Sequence, residues 1–151
     1  MTSLRPNNTL VAVAWLSTLT DLPVGGIATT LPRDPATWQT NGFVTVGPVV
    51  GGSPGVELPT RHPVLQVQTW ANGGQSAKPP WNKAEQLAEI ILAGCQGAVR
   101  PHSSVVLTLP AAYSAARLLG AYGISEPRRL PSDVASYARY EVDIQIDWVP
   151  L

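Results

Sequence analysis

The chain has 151 residues, and its ten basic and ten acidic side chains give a formal net charge of zero. This length predicts one compact domain over residues 1–151, and the neutral balance excludes a protein held on nucleic acid or on an anionic membrane by a basic surface. Only 13% of residues are charged, about half the usual share, which indicates that copies of the chain or another protein cover part of the surface; a low-charge monomer is the alternative.

The residue types that build covalent, metal and membrane sites are scarce. Cys95 is the single cysteine, and His62 and His102 are the two histidines, so we expect no disulfide, no metal site and no cofactor. The apolar run at residues 10–16 is shorter than the roughly 20 residues that span a bilayer. Residues 1–8 lack the basic start and cleavage signal of an export peptide, which predicts synthesis in the cytoplasm without an anchor.

The N-terminal third begins with a helical pattern and continues into a segment rich in turns. Residues 9–19 follow a capping Asn or Thr and carry apolar side chains at helical spacing, and residues 27–31 can run extended. Residues 32–63 are so rich in proline and glycine that they leave room for a short strand at 43–46 and a further one at 49–50. We therefore predict a Gly/Pro-rich loop region around residues 47–63, either functional or ordered by a partner.

A strand and an amphipathic helix follow. Residues 64–71, VLQVQTWA, alternate in polarity as a half-buried strand does. After the loop NGGQSAKPPW, Asn82 is predicted to cap a helix from Lys83, with Glu85 completing an arrangement close to a capping box. The buried stripe of that helix is predicted to be Ala84, Leu87, Ala88, Ile91 and Cys95.

The C-terminal third is predicted to be mainly extended. Residues 104–109 form a strand pattern, whereas residues 113–124 are compatible with a helix or with a strand, and we favour the strand. The last segment is unambiguous, because apolar and polar residues alternate strictly from 140 to 148. One face of this strand enters the core, and the other carries Glu141, Asp143 and Asp147.

No catalytic motif emerges from this pattern, and we expect a protein that is not an enzyme. GGQSAK at residues 73–78 lacks the spacing of a phosphate-binding loop, and its lysine precedes two prolines instead of opening a helix. Each histidine lies beside a proline in a predicted loop, with no carboxylate near in sequence to orient it. The carboxylates of the last strand suit a solvated face as well as acid/base chemistry.

Five tryptophans lack the interleaved Lys and Arg of a nucleic-acid stacking groove, so core and interface positions explain them better. Trp38 and Trp81 lie in predicted loops, and tryptophan is enriched at the buried centres of interfaces. The apolar residues around 49–56 extend this candidate surface. The predicted interface residues are Trp38, Val49, Val50, Val56 and Trp81.

The order of these elements resembles the tail terminator (tail completion) proteins of long-tailed, siphovirus-type bacteriophages. The similar features are the strand VLQVQTWA leading to a helix that begins KAEQLA, and the turn EPRRLPSD before the strand ARYEVDIQIDWVP. The resemblance implies an α+β fold in which a mostly antiparallel or mixed sheet is flanked by two helices. It spans nearly the whole chain, although the Gly/Pro-rich segment and the low charge depart from it.

The resemblance also implies a role in the virion. Such a subunit assembles into a homohexameric ring on the tail tube protein, stops tube growth and presents a surface to the head–tail connector or stopper protein. DNA passes through the ring without sequence-specific binding, so Glu141, Asp143 and Asp147 are candidates for the channel wall, with a solvated outer face as the alternative. A head–tail stopper is the neighbouring alternative function, and an enzyme would need a pocket gathered from His62, His102, Asp133 or Glu141.

Overall fold

The computed structural model describes residues 3–74, 78–96, 105–132, 134 and 136–151. Within them the chain forms two helices, seven strands and a short 3-10 turn at Pro35–Thr37. The helices are α1 (Asn8–Leu16) and α2 (Trp81–Gly94). The strands are β1 (Ile27–Ala28), β2 (Phe43–Pro54), β3 (Arg61–Asn72), β4 (Val105–Leu107), β5 (Ala116–Gly123), β6 (Arg128–Leu130) and β7 (Tyr137–Pro150).

All seven strands belong to one sheet. Its order is β1-β2-β3-β7-β5-β4, and β6 pairs with β7 beside β5. Every pairing is antiparallel except that of β1 with β2. The predicted α+β fold, with a mixed and mostly antiparallel sheet and two helices, is confirmed.

Both helices pack on one face of the sheet. The Thr69 hydroxyl of β3 donates a 2.7 Å hydrogen bond to the Ala84 carbonyl of α2, and the Trp148 indole of β7 donates a 2.9 Å bond to the Asn8 side chain of α1. Between them the sheet contributes fully buried side chains from both central strands. These are Leu65, Val67, Val142, Ile144, Ile146 and Trp148.

The strongest sequence patterns are confirmed. The segment 64–71 lies in β3, and the alternating C-terminal segment lies in β7, where the even-numbered residues from 138 to 148 are buried. The ambiguous residues 113–124 contain the strand β5, as favoured. Helix α1 is also confirmed, and its cap is Asn7, whose side chain accepts a 2.8 Å hydrogen bond from the Leu10 amide.

The predicted loop region at residues 47–63 is wrong in extent. Strand β2 continues to Pro54 and β3 begins at Arg61, so only residues 55–60 connect them. The β2–β3 pairing has two register irregularities, which accommodate the glycines and prolines of β2. Gly52 has a φ of 88°, and a Cβ there would lie 1.9 Å from the His62 carbonyl oxygen. Glycines and prolines are compatible with a strand at bulges and at a sheet edge, which a count of turn residues does not anticipate.

The predicted capping box at Asn82 is also wrong. Helix α2 begins at Trp81, and Pro80 occupies the cap position without a side-chain hydrogen bond. Proline suits the start of a helix because the first amides have no partner within the helix. The buried stripe itself is confirmed for Ala84, Leu87, Ala88 and Ile91, whereas Cys95 is half-buried at the end of the helix.

His102, Asp133, Gly97 and the first residue of the predicted strand 104–109 lie outside the described residues.

Substitutions at Ile144 test the central strand. Ile144 is fully buried in β7. Ile144→Val removes one methylene and should lower the free energy of unfolding by about 1 kcal/mol. Ile144→Asp places a carboxylate without a partner in the core and should abolish soluble folded protein. Thermal unfolding compares the two variants, and a normal unfolding temperature for Ile144→Asp would contradict the assignment.

Candidate functional site

The second face of the sheet, opposite the helices, is polar along its centre. Alternate residues of β3 and β7 point to this side, and most of them are partly buried although neither described helix packs on them. We call this surface the polar face. It comprises His62, Gln66, Gln68, Glu141, Asp143, Gln145 and Asp147.

At one end of the polar face, Arg128 of β6 pairs with two carboxylates. It donates a hydrogen bond to Glu141, which is only 7% exposed, and a longer one of 3.4 Å to Asp143. Gln68 donates a 3.2 Å hydrogen bond to the second oxygen of Glu141. The hydrogen bond with Glu141, supported by Asp143, raises the pKa of Arg128 above its ordinary value. The buried carboxylate is thus satisfied within the subunit.

At the other end, His62 pairs with Asp147. Nδ1 of His62 lies 2.8 Å from Oδ1 of Asp147, and Gln145 donates a 3.0 Å hydrogen bond to the same oxygen. His62 was expected to be a solvated loop residue without an orienting carboxylate, and this expectation is wrong. The partner comes from a strand 85 residues away, so spacing along the sequence carries no sign of it.

These two ionic groups do not combine into one site. Gln68 pairs with Glu141, and His62 lies six residues earlier on the same strand, so His62 and Glu141 are separated by about 20 Å. The described residues contain no cluster of three or more His, Cys, Asp or Glu suited to a metal ion. Within the same part of the chain, no helix is long and apolar enough to cross a membrane.

The predicted interface residues separate into two groups. Val49, Val50 and Val56 lie on the end of the β2–β3 hairpin and are 43%, 49% and 99% exposed. Leu58, which the sequence analysis did not select, is 67% exposed on the same turn. The signal for Leu58 in the sequence was weak. It was one more large apolar side chain in a segment without the periodic pattern of a core element.

The two tryptophans lie against their own subunit. Trp38 is 2% exposed and packs edge-on against Tyr137, with ring centroids 5.0 Å apart, so little of its surface is left for a partner. Trp81 is the first residue of α2, and the Arg129 guanidinium stacks over its ring at 4.2 Å. A strand residue covering each ring was not predictable from the position of the tryptophans in the sequence.

Arg128 is the residue that the sequence analysis missed. It belongs to the turn EPRRLPSD, which forms the short strand β6 and pairs with β7 so that Arg128 faces Glu141. A proline-bounded pair of arginines shortly before a strand with alternating carboxylates is a signal for such an ion pair. The signal is weak, because a turn can place its arginines equally well in solvent.

The sequence matches no family model and no curated protein. Among solved structures, the fold is similar to that of a chain in the virion of a native gene transfer agent (GTA) particle. The TM-score is 0.53 at 16% sequence identity, and the alignment covers 93% of this chain and 89% of that chain. A second solved chain aligns at 17% identity with a TM-score of 0.41, over 96% of this chain and 96% of that chain.

The ion pair of Arg128 can be tested by a double-mutant cycle. Arg128→Met leaves the Glu141 carboxylate without its cation, and we expect a loss of about 1–2 kcal/mol in the free energy of unfolding, since Arg128 is 42% exposed and water replaces part of the interaction. Arg128→Met/Glu141→Gln should recover much of that loss. Urea unfolding measures the unsubstituted chain, Arg128→Met, Glu141→Gln and the double variant, and additive losses would show that the two side chains are not coupled.

Proposed function

We propose that this chain is a virion structural protein and, more specifically, a tail terminator subunit. In this proposal, copies form a ring on the last ring of tail-tube protein, stop its polymerisation and provide the surface for the head–tail connector. Six copies are expected from the resemblance. The observation that supports the proposal most is the fold shared with a chain of a gene transfer agent virion along 93% of this chain.

The segments that resemble tail terminators also form one contiguous unit, which supports the proposal. The strand VLQVQTWA lies in β3, which pairs with β7 from Arg61–Trp148 to Asn72–Tyr137. Helix α2 packs on both strands, and the turn EPRRLPSD supplies β6 beside β7. The likeness therefore involves the centre of the sheet and the helix that covers it, instead of short matches scattered over the molecule.

The surface supports an assembling subunit. The low number of charged residues gives little electrostatic repulsion between copies. Large apolar side chains on the β2–β3 hairpin are exposed in the single subunit. Exposed apolar surface of this kind is typical of contacts with another protein. We propose that Val49, Val50, Val56 and Trp81 contact neighbouring subunits or the tail tube, and we omit Trp38 because it is buried.

The polar face is our candidate for the channel wall, because its chemistry would hold DNA weakly. Its carboxylates Glu141, Asp143 and Asp147 are partnered by Arg128 and His62, and glutamine amides occupy positions between them. One arginine against three carboxylates leaves the wall acidic, although less so than the sequence alone suggests. A wall without a surplus of cations forms few phosphate contacts, so DNA can slide past it.

Omission of the protein from an assembling system tests the terminator role. Without a terminator nothing stops addition of tail-tube subunits, so we expect overlong tubes in negative-stain images and restoration of uniform tails when the chain is supplied. Tails of normal length that fail to attach to heads would instead indicate a head–tail stopper. Normal, attached tails would contradict both roles.

Lysine substitutions test the channel wall. Gln66→Lys/Gln145→Lys adds two cations to the polar face in each subunit, and phosphate contacts should slow DNA ejection, with the delay shrinking as salt rises. The matched control is Gln86→Lys, which makes the same chemical change on the exposed side of α2. Equal ejection rates for particles with the unsubstituted chain, the double lysine variant and the control would contradict the assignment of the polar face to the channel wall.

A further inference from the structure

Helix α1 has an apolar outer side that the described residues cover only in part. Its sequence NTLVAVAWL contains no charged residue, and its inner side, including Val11, Trp15 and Leu16, is fully buried against the sheet. Leu10 and Val13 on the outer side are only half-buried. A helix that is apolar all round is normally enclosed on all sides, so the outer side of α1 indicates a contact with another body.

A groove runs along this outer side. It has a volume of about 390 Å³ and lies between α1 and the strand β4 with the segment that follows it. Val106 of β4, 53% exposed, lies at the groove, and no charged residue lines it. Its described lining is apolar apart from the hydroxyl residues Ser17, Thr18 and Thr108.

The same chain carries a protruding element of matching chemistry. The turn between β2 and β3 is closed by a 2.7 Å hydrogen bond from the Gly55 amide to the Thr60 carbonyl, which holds Val56 and Leu58 in solvent, 99% and 67% exposed. We call residues 49–60 the hairpin end. The pairing of residues 49–54 with β3 and the hydrogen bond between Gly55 and Thr60 hold its backbone, so docking would immobilise few additional rotatable bonds.

The strand register places the hairpin end and the groove at opposite edges of the sheet and at the same level along the strands. One continuous row of paired residues crosses the sheet: Pro54, Arg61, Trp148, Leu118 and Val105. Neighbouring strands are about 4.8 Å apart, so the two edges lie about 19 Å from each other. A protruding apolar element therefore stands at one side of the subunit, with an apolar groove level with it at the other.

We infer that the hairpin end of one subunit docks in the α1–β4 groove of the next copy. Contacts between two different surfaces of the same chain are head-to-tail, and they generate a closed ring when the rotation between copies is right. The inference rests on the ring of the proposed function and assigns the surfaces that build it. Both surfaces are mainly apolar, and Glu57 on the turn is the one charged residue among their described residues, which suits a contact that excludes water.

Paired cysteines test this contact. In a Cys95→Ala background, Val56→Cys and Val106→Cys are introduced singly and together, and the purified chain is oxidised across a concentration series. The double variant should form a ladder of cross-linked species up to the ring on a denaturing gel. Each single variant should remain uncross-linked, because a head-to-tail contact brings unlike positions together.

The control pairs Val106→Cys with Val24→Cys, another fully exposed valine outside the hairpin end. Equal unfolding temperatures show that all variants fold alike, and light scattering reports their assembly. Rings without a ladder in the Val56 pair, or with a ladder in the Val24 pair, would overturn the docking inference and leave the ring of the proposed function intact. Cross-linked dimers of Val56→Cys alone would indicate a two-fold contact and also overturn it. A chain that stays monomeric throughout contradicts the ring as well.

Discussion

The pairing of β3 with β7 is the constraint on which the rest of the structure depends. These two strands run side by side from Arg61–Trp148 to Asn72–Tyr137 at the centre of the sheet. Alternate side chains of both enter the core, so a shift of one residue in either strand would exchange buried for exposed side chains. Helices α1 and α2, strand β5 and strand β6 all pack or pair against surfaces that this register creates.

The same register determines the chemistry of the polar face. Once Val142, Ile144 and Ile146 point inward, Glu141, Asp143 and Asp147 must point to the other side of β7. Partial burial there makes unpaired carboxylates costly, and neighbouring elements supply Arg128 and His62 as their hydrogen-bonding partners. The pairing of the carboxylates on this face is therefore a property of packing.

The two edges of the sheet present different surfaces. Beyond its pairing with β1 at residues 44 and 45, β2 forms one edge and leads to the exposed apolar turn. The short strand β4 forms the other edge, beside the partly buried outer side of α1. A contact between these two unlike surfaces would be head-to-tail instead of two-fold. In the proposed ring, the same contact would repeat around the end of the tail tube.

The sequence by itself determined the elements whose pattern is local and periodic. Strict alternation identified β7 and the core of β3, and helical spacing identified α1 and the buried stripe of α2, because burial of one face imposes the period directly on the residues. It did not determine the full length of β2, whose glycines and prolines are tolerated at bulges and on an edge. Tertiary structure alone decided that Arg128 meets Glu141, that His62 meets Asp147 and that Trp38 is buried. Each of these contacts joins segments that are distant in the sequence and that only strand pairing or loop packing brings together. The identity of a side chain therefore does not reveal which partner it meets in the folded chain.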